Sequence, residues 1–347
     1  MTRIYLDHNA TTPLRSAAKV AMCAAMDVVG NPSSVHAEGR AAKGLIEQAR
    51  GQLARALGAE NADIIFTASA TEAAALACAG RDLHGADIEH DAVVVWITAD
   101  LNVNSNGRTE LADPARSVLQ LANSETGIVQ DIPEGLSVCD LTQAFGKIPV
   151  RFDEMGIDMA LISAHKLGGP KGVGALVLRR GIDVTPQIKG GGQEMGRRSG
   201  TENVIGISGF GAAAMAAVAD VSAGKWEEIG QFRNILDLAL EAGVNKTIFV
   251  GKDVPRLPNT TCFAAPGWKG ETQVMQLDLS GFAISAGSAC SSGKVRASRV
   301  LRAMGYNDDI ASSAIRVSLG LETTEEDVLR FAEIWLDKRE KHQRRVA

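Results

Sequence analysis

Lys166 stands at the end of an apolar stretch, where a lysine needs an explanation. The stretch "IDMALI" (157–162) predicts a buried strand, and "SAHKLGGPKG" (163–172) follows it. Because burying an ammonium group is costly, Lys166 must reach solvent, pair with an acid, hold a phosphate or react through its amine. The pattern G-x-x-x-x-G-K-[ST] does not precede it, so a nucleotide P-loop is not indicated.

An acid and an amide precede this lysine in "CDLTQAFGK" (139–147). Asp140, at the end of another apolar run, either caps the following turn or faces a cationic ring nitrogen. The second role is what pyridoxal 5′-phosphate (PLP) requires, because a protonated pyridine is the electron sink for carbanion chemistry. An amine such as Lys166 can then form an imine with the pyridoxal aldehyde. The pair of strand-end residues therefore favours a PLP site, with a structural or phosphate-binding lysine as the alternative.

Three further segments carry residues suited to such a site. In "TASATEAAALA" (67–77), Ser69 and Glu72 have capping-box spacing, and a helix start with small side chains can bind a phosphate, although the segment alone favours an ordinary capped helix. Arg316 in "AIRVSLG" predicts either a fork for a substrate carboxylate or an internal salt bridge. His90 in "DIEHDAV" is either a surface histidine or an aromatic plate on a cofactor ring.

The elements that would position these residues alternate along the chain. Hydrophobic periodicity predicts helices at 14–29, 37–57, 71–84, 202–220, 225–242 and 324–345, and strands at 63–68, 92–98, 117–122, 136–140, 158–163 and 174–179. This alternation predicts an α/β domain with a mostly parallel central sheet flanked by helices. After about residue 222 the pattern is typical of a smaller α+β domain. We predict a large domain of 14–222 and a small domain of 1–13 with 223–347.

In a parallel sheet, ligands bind at the carboxyl ends of the strands. The candidate residues fall at such ends: Ser69 and Thr71 after one strand, Asn123 after another, Asp140 after a third and Lys166 after a fourth. The sequence therefore predicts one large pocket at this edge of the sheet.

Composition narrows the class of protein. The chain has 347 residues, 45% hydrophobic and 22% charged, with a net charge of -5. The charges are mixed, so neither nucleic-acid binding nor attachment to a membrane surface is indicated. The first residues lack the apolar core of an export signal, and the weakly polar stretch 204–219 predicts a buried helix.

The five cysteines have no C-x-x-C spacing, which favours reduced thiols in a cytoplasmic protein and no metal site. Four of them, Cys23, Cys78, Cys139 and Cys262, lie in apolar surroundings that predict core positions. Cys290 differs, because "SAGSACSSGK" (285–294) predicts an exposed and mobile thiol.

The ordered set of motifs resembles one family. The matching segments are "YLDHNATTP", "NPSSVHAEGR", "TASATE", "EHDAV", "NSETGIVQDI", "DLTQAFGKIPV", "SAHKLGGPKGVGAL", "GGGQEMGRRSGTENV", "SAGSACSSG" and "SSAIRVSLG". Together they resemble the cysteine desulfurases of the NifS/IscS type, PLP enzymes of the class V aminotransferase group. The resemblance implies the PLP-dependent transferase fold type I, with PLP as cofactor and L-cysteine as substrate.

The resemblance also implies how the cofactor is bound. Lys166 would hold PLP as an imine and move protons, while His90 would stack on the ring and assist the acid–base steps. Asp140 would pair with the ring nitrogen, and Gln143 would contact the phenolic oxygen. The other implied contacts, most of them to the phosphate, are Ala70, Thr71, Ser124, Ser163, His165 and, from a second subunit of a homodimer, Thr201.

For the substrate, the resemblance implies that Arg316, with Asn31 nearby, binds the carboxylate of L-cysteine. Cys290 would attack the substrate sulfur and retain it as a persulfide, L-alanine would leave, and the sulfur would pass to an acceptor protein for iron–sulfur cluster assembly or thiolation.

Two alternatives stay open at this point. One is another class V PLP enzyme, either an aminotransferase or a selenocysteine lyase. The other is a low-activity paralogue acting as a scaffold, because the chain looks shortened between His90 and Asn123 and between Gln130 and Asp140.

Overall fold

The computed structural model describes residues 3–243, 247–287 and 297–346. Cys290 lies outside these ranges, so the prediction of an exposed thiol there is not tested.

Ten α-helices occur in the described ranges, and the six predicted from periodicity are among them. Their bounds are α1 Ser16–Met26, α2 Ala37–Leu57, α3 Ala70–Cys78, α4 Asp91–Val94, α5 Val204–Ser222, α6 Lys225–Gly243, α7 Gly270–Asp278, α8 Arg299–Ala303, α9 Asp308–Ser313 and α10 Glu325–Val346. Local signals fix both ends of α2. The side chain of His36 accepts a hydrogen bond from the backbone N–H of Gly39, and Gly58 ends the helix in the left-handed conformation that glycine adopts at low cost.

Thirteen strands lie in the same ranges. Their bounds are β1 Ile4–Tyr5, β2 Ala62–Thr67, β3 His84–Ala86, β4 Thr98–Leu101, β5 Val118–Gln120, β6 Val138–Asp140, β7 Met159–Ser163, β8 Gly174–Arg179, β9 Ile248–Phe249, β10 Thr260–Ala264, β11 Phe282–Ala283, β12 Ser285–Ala286 and β13 Ala314–Ser318. The central sheet has the order β2-β8-β7-β6-β5. Strands β5, β6 and β7 are parallel, and β8 is antiparallel to both of its neighbours, so four of the five strands run in one direction.

Both faces of the central sheet are covered, and the sequence of β2 reflects this. Ile64 and Phe66 pack on the side of α2 and α5, whereas Ile65 points to the other side, against α3. A strand buried on both faces reads as a continuous apolar run, which is why it was recognisable from sequence. Each such side chain stabilises the fold by roughly 1.5–3 kcal/mol when fully buried.

The strand predicted at 92–98 is wrong. Residues Asp91–Val94 form the short helix α4, and only Thr98–Leu101 is extended, pairing with β3 outside the central sheet. The cause is a local cap, because Nδ1 of His90 accepts the backbone N–H of Ala92 at 3.1 Å and starts a helical turn. This cap outweighs the strand preference of three consecutive valines.

A second, four-stranded sheet has the order β12-β13-β10-β9 and lies in the carboxyl-terminal part of the chain. The segment near Ile4 joins this part, because β1 pairs with β11 and Asp7 bridges to Ser318. Its core contains Trp268, Phe331 and Trp335. The two-domain division at residue 222 stays a prediction, although the two sheets fall on either side of it.

Helix α5 is long and apolar enough to cross a membrane by length and composition. It packs instead against α1 and α2, and more than half of its apolar window is buried within the chain. This agrees with the buried helix expected at 204–219.

The prediction that four cysteines occupy the core is wrong for one of them. Cys78, Cys139 and Cys262 are buried, but Cys23 is exposed on α1. Helix α1 is apolar around much of its circumference and packs on α5 with one side only, so Val20 and Met26 are exposed as well. Sequence apolarity therefore identified the helix but not which of its sides is covered.

Candidate active site

A cavity of about 470 Å³ opens at the carboxyl ends of the central strands. The second wall comes from segment 7–10 and from strands β12 and β13. Ten of the thirteen residues predicted to form the site line this cavity: Ala70, Thr71, His90, Ser124, Asp140, Gln143, Ser163, His165, Lys166 and Arg316. The topology explains the convergence, because β2, β6 and β7 run in the same direction and end at one edge.

Lys166 ends a short 3₁₀ turn that follows β7. Its Nζ donates hydrogen bonds to the carbonyl oxygens of Asn9 at 2.7 Å and Ala10 at 2.9 Å. The hydroxyl of Thr12 donates to the carbonyl oxygen of Lys166 at 3.0 Å, which fixes the backbone. Lys166 is thus half-buried, and its amine is bound by two carbonyl oxygens at the cavity wall.

Asp140 ends β6 and is buried at the cavity wall. Its Oδ1 accepts the backbone N–H of Thr142 at 2.8 Å, so both roles considered from sequence coexist: the carboxylate caps a turn and also lines the cavity. Gln143, one turn later, donates from Nε2 to the carbonyl oxygen of Asn9 at 2.9 Å.

Two histidines line the cavity. His90 caps α4 through Nδ1, which leaves its ring at the cavity surface. His165 contacts the hydroxyl of Thr11 through Nδ1 at 3.1 Å. Burial and the nearby ammonium groups of Lys166 and Lys171 lower the pKa of His165 to about 4. His165 is therefore a neutral hydrogen-bonding group at physiological pH.

The amino terminus of α3 provides an anion-binding surface on the cavity wall. Ser69 accepts the backbone N–H of Glu72 through Oγ at 3.3 Å, and Ala70 and Thr71 face the cavity. The predicted capping pair is present, with the Glu72 carboxylate accepting from the backbone N–H of Ala68 at 2.7 Å. Small side chains next to free N–H groups at a helix start allow a phosphate to approach closely.

Arg316 forms the internal salt bridge that the sequence left open. Its Nη2 lies 2.8 Å from Oδ1 of Asp7, and its Nη1 donates to the carbonyl oxygen of Ser124 at 2.9 Å. The hydroxyl of Ser285 donates to the same Asp7 oxygen at 2.8 Å. In the part of the chain that is described, Nε of Arg316 has no hydrogen-bond partner. The guanidinium is held in one plane at the cavity wall by these contacts.

Three expected residues of the described ranges lie elsewhere. Asn31 is exposed and accepts the backbone N–H of Ser33 in a local turn, and Thr201 is exposed outside the cavity of its own chain. Asn123, expected at the pocket, is buried beneath it, where Oδ1 accepts the N–H groups of the turn that follows. Cys290 is outside the described residues.

Sequence reasoning missed Asn9, the residue that joins the two walls. Its carbonyl oxygen accepts from Gln143 and Lys166, and its Nδ2 donates to Thr260 Oγ1 at 2.9 Å. A signal for Asn9 exists in the motif "YLDHNATTP", where polar residues follow a short apolar start. The side chains that Asn9 contacts lie far away in sequence, so the motif alone does not identify them. The described residues contain no cluster of His, Cys, Asp or Glu that could hold a metal ion.

The aminotransferase class-V family model matches residues 4–331. The chain belongs to the class-V aminotransferase family. It is similar to a cysteine desulfurase IscS of Dictyoglomus turgidum, with 36% identity over 94% of this chain and 91% of the relative. It is similar to a cysteine desulfurase of Cereibacter sphaeroides, with 38% identity over 96% of this chain and 95% of the relative.

Solved structures agree with this membership. A NifS-like protein from Rickettsia africae superposes with a TM-score of 0.87 at 34% identity, covering 96% of this chain and 99% of the other. A second NifS-like protein gives a TM-score of 0.85 at 30% identity, covering 99% of each chain. The PLP-dependent fold type I expected from the motifs is confirmed.

Class-V aminotransferases use PLP, and the residues of the cavity fit this cofactor. PLP needs an amine for its aldehyde, a carboxylate for its ring nitrogen and anion-binding groups for its phosphate. Lys166, Asp140 and the start of α3 offer these three groups around one space of about 470 Å³.

Proposed function

We propose that this chain is a cysteine desulfurase, which converts L-cysteine to L-alanine and transfers the sulfur to Cys290. The observation that carries the proposal is the convergence of Lys166, Asp140 and Arg316 on one cavity. Relatives named cysteine desulfurase, which align over more than nine tenths of the chain, support the choice of substrate.

We assign the cofactor contacts as follows. Lys166 would bind the aldehyde carbon, Asp140 would hold a proton on the ring nitrogen, and Gln143 would donate to the phenolic oxygen. His90 would stack on the ring. A set of small and polar groups would hold the phosphate, namely Ala70, Thr71, Ser163 and His165, and Ser124 would contact the ring. A neutral His165 suits this role because its Nε2–H can donate to a phosphate oxygen.

PLP, when bound, supplies the electron sink that stabilises negative charge on the substrate Cα. Lys166 would move a proton at Cα. Its Nζ donates to the carbonyl oxygens of Asn9 and Ala10, two acceptors that would also hold the ammonium form after it has taken up that proton.

Arg316 orients the substrate. Asp7 and the carbonyl oxygen of Ser124 fix the guanidinium plane before substrate arrives, and a preorganised fork loses little entropy when a carboxylate binds. We propose Asn31 as a second contact to the substrate carboxylate. Because Asn31 lies in an exposed turn, this contact requires either movement of the turn or an Asn31 supplied by a neighbouring subunit.

Cys290 takes up the sulfur. Its thiolate attacks the substrate sulfur, an S–S bond forms and the substrate Cβ–S bond breaks. The electron pair of that bond stays with Cβ, which takes a proton and becomes the methyl group of L-alanine. The resulting persulfide passes its terminal sulfur to a thiol of an acceptor protein for iron–sulfur cluster assembly or thiolation.

We also propose that the chain is a cytoplasmic homodimer. The exposed apolar side of α1, with Val20 and Met26, supports burial against a second copy. Thr201, exposed outside its own cavity, would contact the partner's cofactor. Sedimentation equilibrium at micromolar protein should give twice the chain mass, and a monomer mass would overturn this.

The decisive experiment is product balance. The protein, loaded with PLP, is incubated with L-cysteine and dithiothreitol, and alanine and sulfide are quantified together with Cys290→Ala and Lys166→Ala in parallel. We expect equal amounts of both products from the wild type and neither from the variants.

The alternatives give different outcomes in the same assay. An aminotransferase requires a keto acid and releases no sulfide. A selenocysteine lyase turns over L-selenocysteine and not L-cysteine. A scaffold binds PLP but produces no alanine from either amino acid.

A further inference from the structure

Lys147 is a second lysine next to the site, buried behind the cavity wall. Only 3% of its surface is exposed, and it does not line the cavity. Its Nζ donates to Oε1 of Gln143 at 2.8 Å and to Oδ1 of Asn9 at 3.0 Å. The proposed chemistry gives this residue no role, so the burial of an amine here requires another explanation.

The surroundings of Lys147 disfavour the charged ammonium form of its side chain. Among the described residues, no carboxylate lies within ion-pair distance of its Nζ. Burial, followed by the nearby cations Lys166 and Arg316, lowers the pKa of Lys147 well below its ordinary value. Burial, together with the charge of Lys147, lowers the pKa of the neighbouring His8 to about 4. An apolar side chain of similar length would avoid this desolvation cost, so stability alone does not account for the lysine.

The hydrogen bonds of Lys147 determine which way the Gln143 amide points. A glutamine amide has one accepting end and one donating end. The carbonyl oxygen of Asn9 can only accept, so the atom that faces it at 2.9 Å is Nε2. Lys147 supplies an N–H to the opposite end in either protonation state, which holds Oε1 away from the cavity. Both ends of the amide are thereby fixed.

Asn9 is fixed by the same amine. Its Oδ1 accepts from Lys147 and from Nδ2 of Asn259 at 3.1 Å, and its Nδ2 donates to Thr260. Its carbonyl oxygen is then presented to Gln143 and Lys166 together. Lys147 thus hydrogen-bonds both Asn9 and Gln143, the residues that would lie beside the aldehyde and phenolic oxygen of PLP, and does not itself line the cavity.

We propose that Lys147 is a positioning residue that holds the Gln143 amide with its N–H donors toward the phenolic oxygen of PLP. This rests on the proposed cofactor contact of Gln143. Without Lys147, only the Asn9 carbonyl oxygen still orients the amide, and in part of the molecules the amide turns its oxygen toward the cofactor oxygen, which repels the phenolate.

The test uses the PLP-loaded protein without L-cysteine. Lys147→Met is compared with Gln143→Ala, with the double variant and with Lys341→Met, which removes an exposed lysine of α10. The readouts are the dissociation constant for PLP and the pH midpoint of the absorbance change of the bound cofactor. We expect Lys147→Met to raise the dissociation constant roughly tenfold, the worth of one hydrogen bond, and to raise the midpoint by about one pH unit. Lys341→Met should change neither.

Coupling separates positioning from packing. If Lys147 acts through Gln143, the double variant matches Gln143→Ala in both readouts. Effects that add, or wild-type values in Lys147→Met, overturn the proposal. Should Lys147→Met not fold, Lys147→Gln, which keeps a shorter N–H donor, is used and should lie between the wild type and Gln143→Ala. A wild type that binds PLP but releases no sulfide overturns the proposed function alone.

Discussion

Asp7 and Arg316 form an ion pair across the cavity wall, with Oδ1 and Nη2 separated by 2.8 Å. The two residues are 309 positions apart, and both side chains are largely buried. The guanidinium is therefore oriented by the protein before any substrate carboxylate arrives, and substrate binding adds to an existing network.

Arg316→Lys should weaken substrate binding more than it slows turnover. Lysine keeps the positive charge but lacks the planar fork whose separate nitrogens bind Asp7 and Ser124 while the guanidinium faces a carboxylate. We expect KM for L-cysteine to rise at least tenfold, on the order of the 1–3 kcal/mol of a charge-assisted hydrogen bond, with a smaller change in kcat. Steady-state kinetics measure both, and Arg302→Lys at an exposed pair with Asp308 is the control. An unchanged KM would remove Arg316 from the substrate site.

Glu89 should make the stability of the protein depend on pH. Its carboxyl is completely buried, and this burial, with Asp140 nearby, raises its pKa to about 8. A carboxyl with a raised pKa stabilises the fold below its ordinary pKa, and this stability is lost as pH rises toward 8, with a slope approaching about 1.4 kcal/mol per pH unit. Glu89→Gln keeps the shape without the ionisation, so its free energy of unfolding should fall less between pH 5 and 8.

Urea denaturation of the wild type and Glu89→Gln at several pH values checks this. The difference between the two proteins isolates Glu89. The other groups with shifted pKa values contribute equally to both, namely Glu125, whose pKa burial raises to about 7, and the histidines His8 and His165. Glu333→Gln, at an exposed position of α10, should follow the wild type. Parallel curves for Glu89→Gln and the wild type would contradict the prediction.

Arg50→Met should destabilise the segment that carries Thr201. Arg50 binds the buried carboxylate of Glu194 in two places, at 2.8 and 3.0 Å. Glu194 and Met195 both have positive φ angles, 48° and 59°, a strained conformation for residues other than glycine. Without the arginine, the backbone N–H of Phe66 is the one donor to this buried carboxylate that remains among the described residues.

We expect Arg50→Met to lower the free energy of unfolding by about 3–5 kcal/mol, the usual cost of breaking a buried ion pair. Arg55→Met, on the exposed side of the same helix, should cost under about 0.5 kcal/mol. Chemical denaturation measures both, and equal effects of the two substitutions would show that the Glu194 contact contributes little.

The three buried thiols should be inert. Burial raises the pKa of Cys78 and Cys262 to about 12 and that of Cys139 well above its ordinary value, so the reactive thiolate is scarce. In a Cys23→Ser, Cys290→Ala variant, a thiol reagent should find no reactive group in the native protein and three after denaturation, since five cysteines less two remain. A rapidly reacting thiol in the native variant would identify a second accessible cysteine.

The sequence predicted the part of the site that the central sheet builds. Asp140 and Lys166 follow strands that are buried on both faces, and such strands are recognisable from short apolar runs. Because parallel strands end at one edge, placing the residues on strands was enough to bring them together.

The other wall could not be predicted in this way. Asn9, Lys147 and Asp7 meet their partners through contacts between segments that no local pattern relates. The prediction of a strand at 92–98 was wrong because of a local contact. The His90 side chain caps a helical turn there, and this cap outweighs the strand preference of the valines.

Strand β1 has a consequence for biosynthesis. Strand β1 pairs with Phe282–Ala283, and the residues after it bridge to Ser318 through Asp7 and place Asn9 at the cavity. These partners leave the ribosome after most of the chain has been made, so the central sheet can form while the cavity still lacks a wall. Closing a loop of this length is slow, and PLP capture should therefore be a late event that reports completed folding.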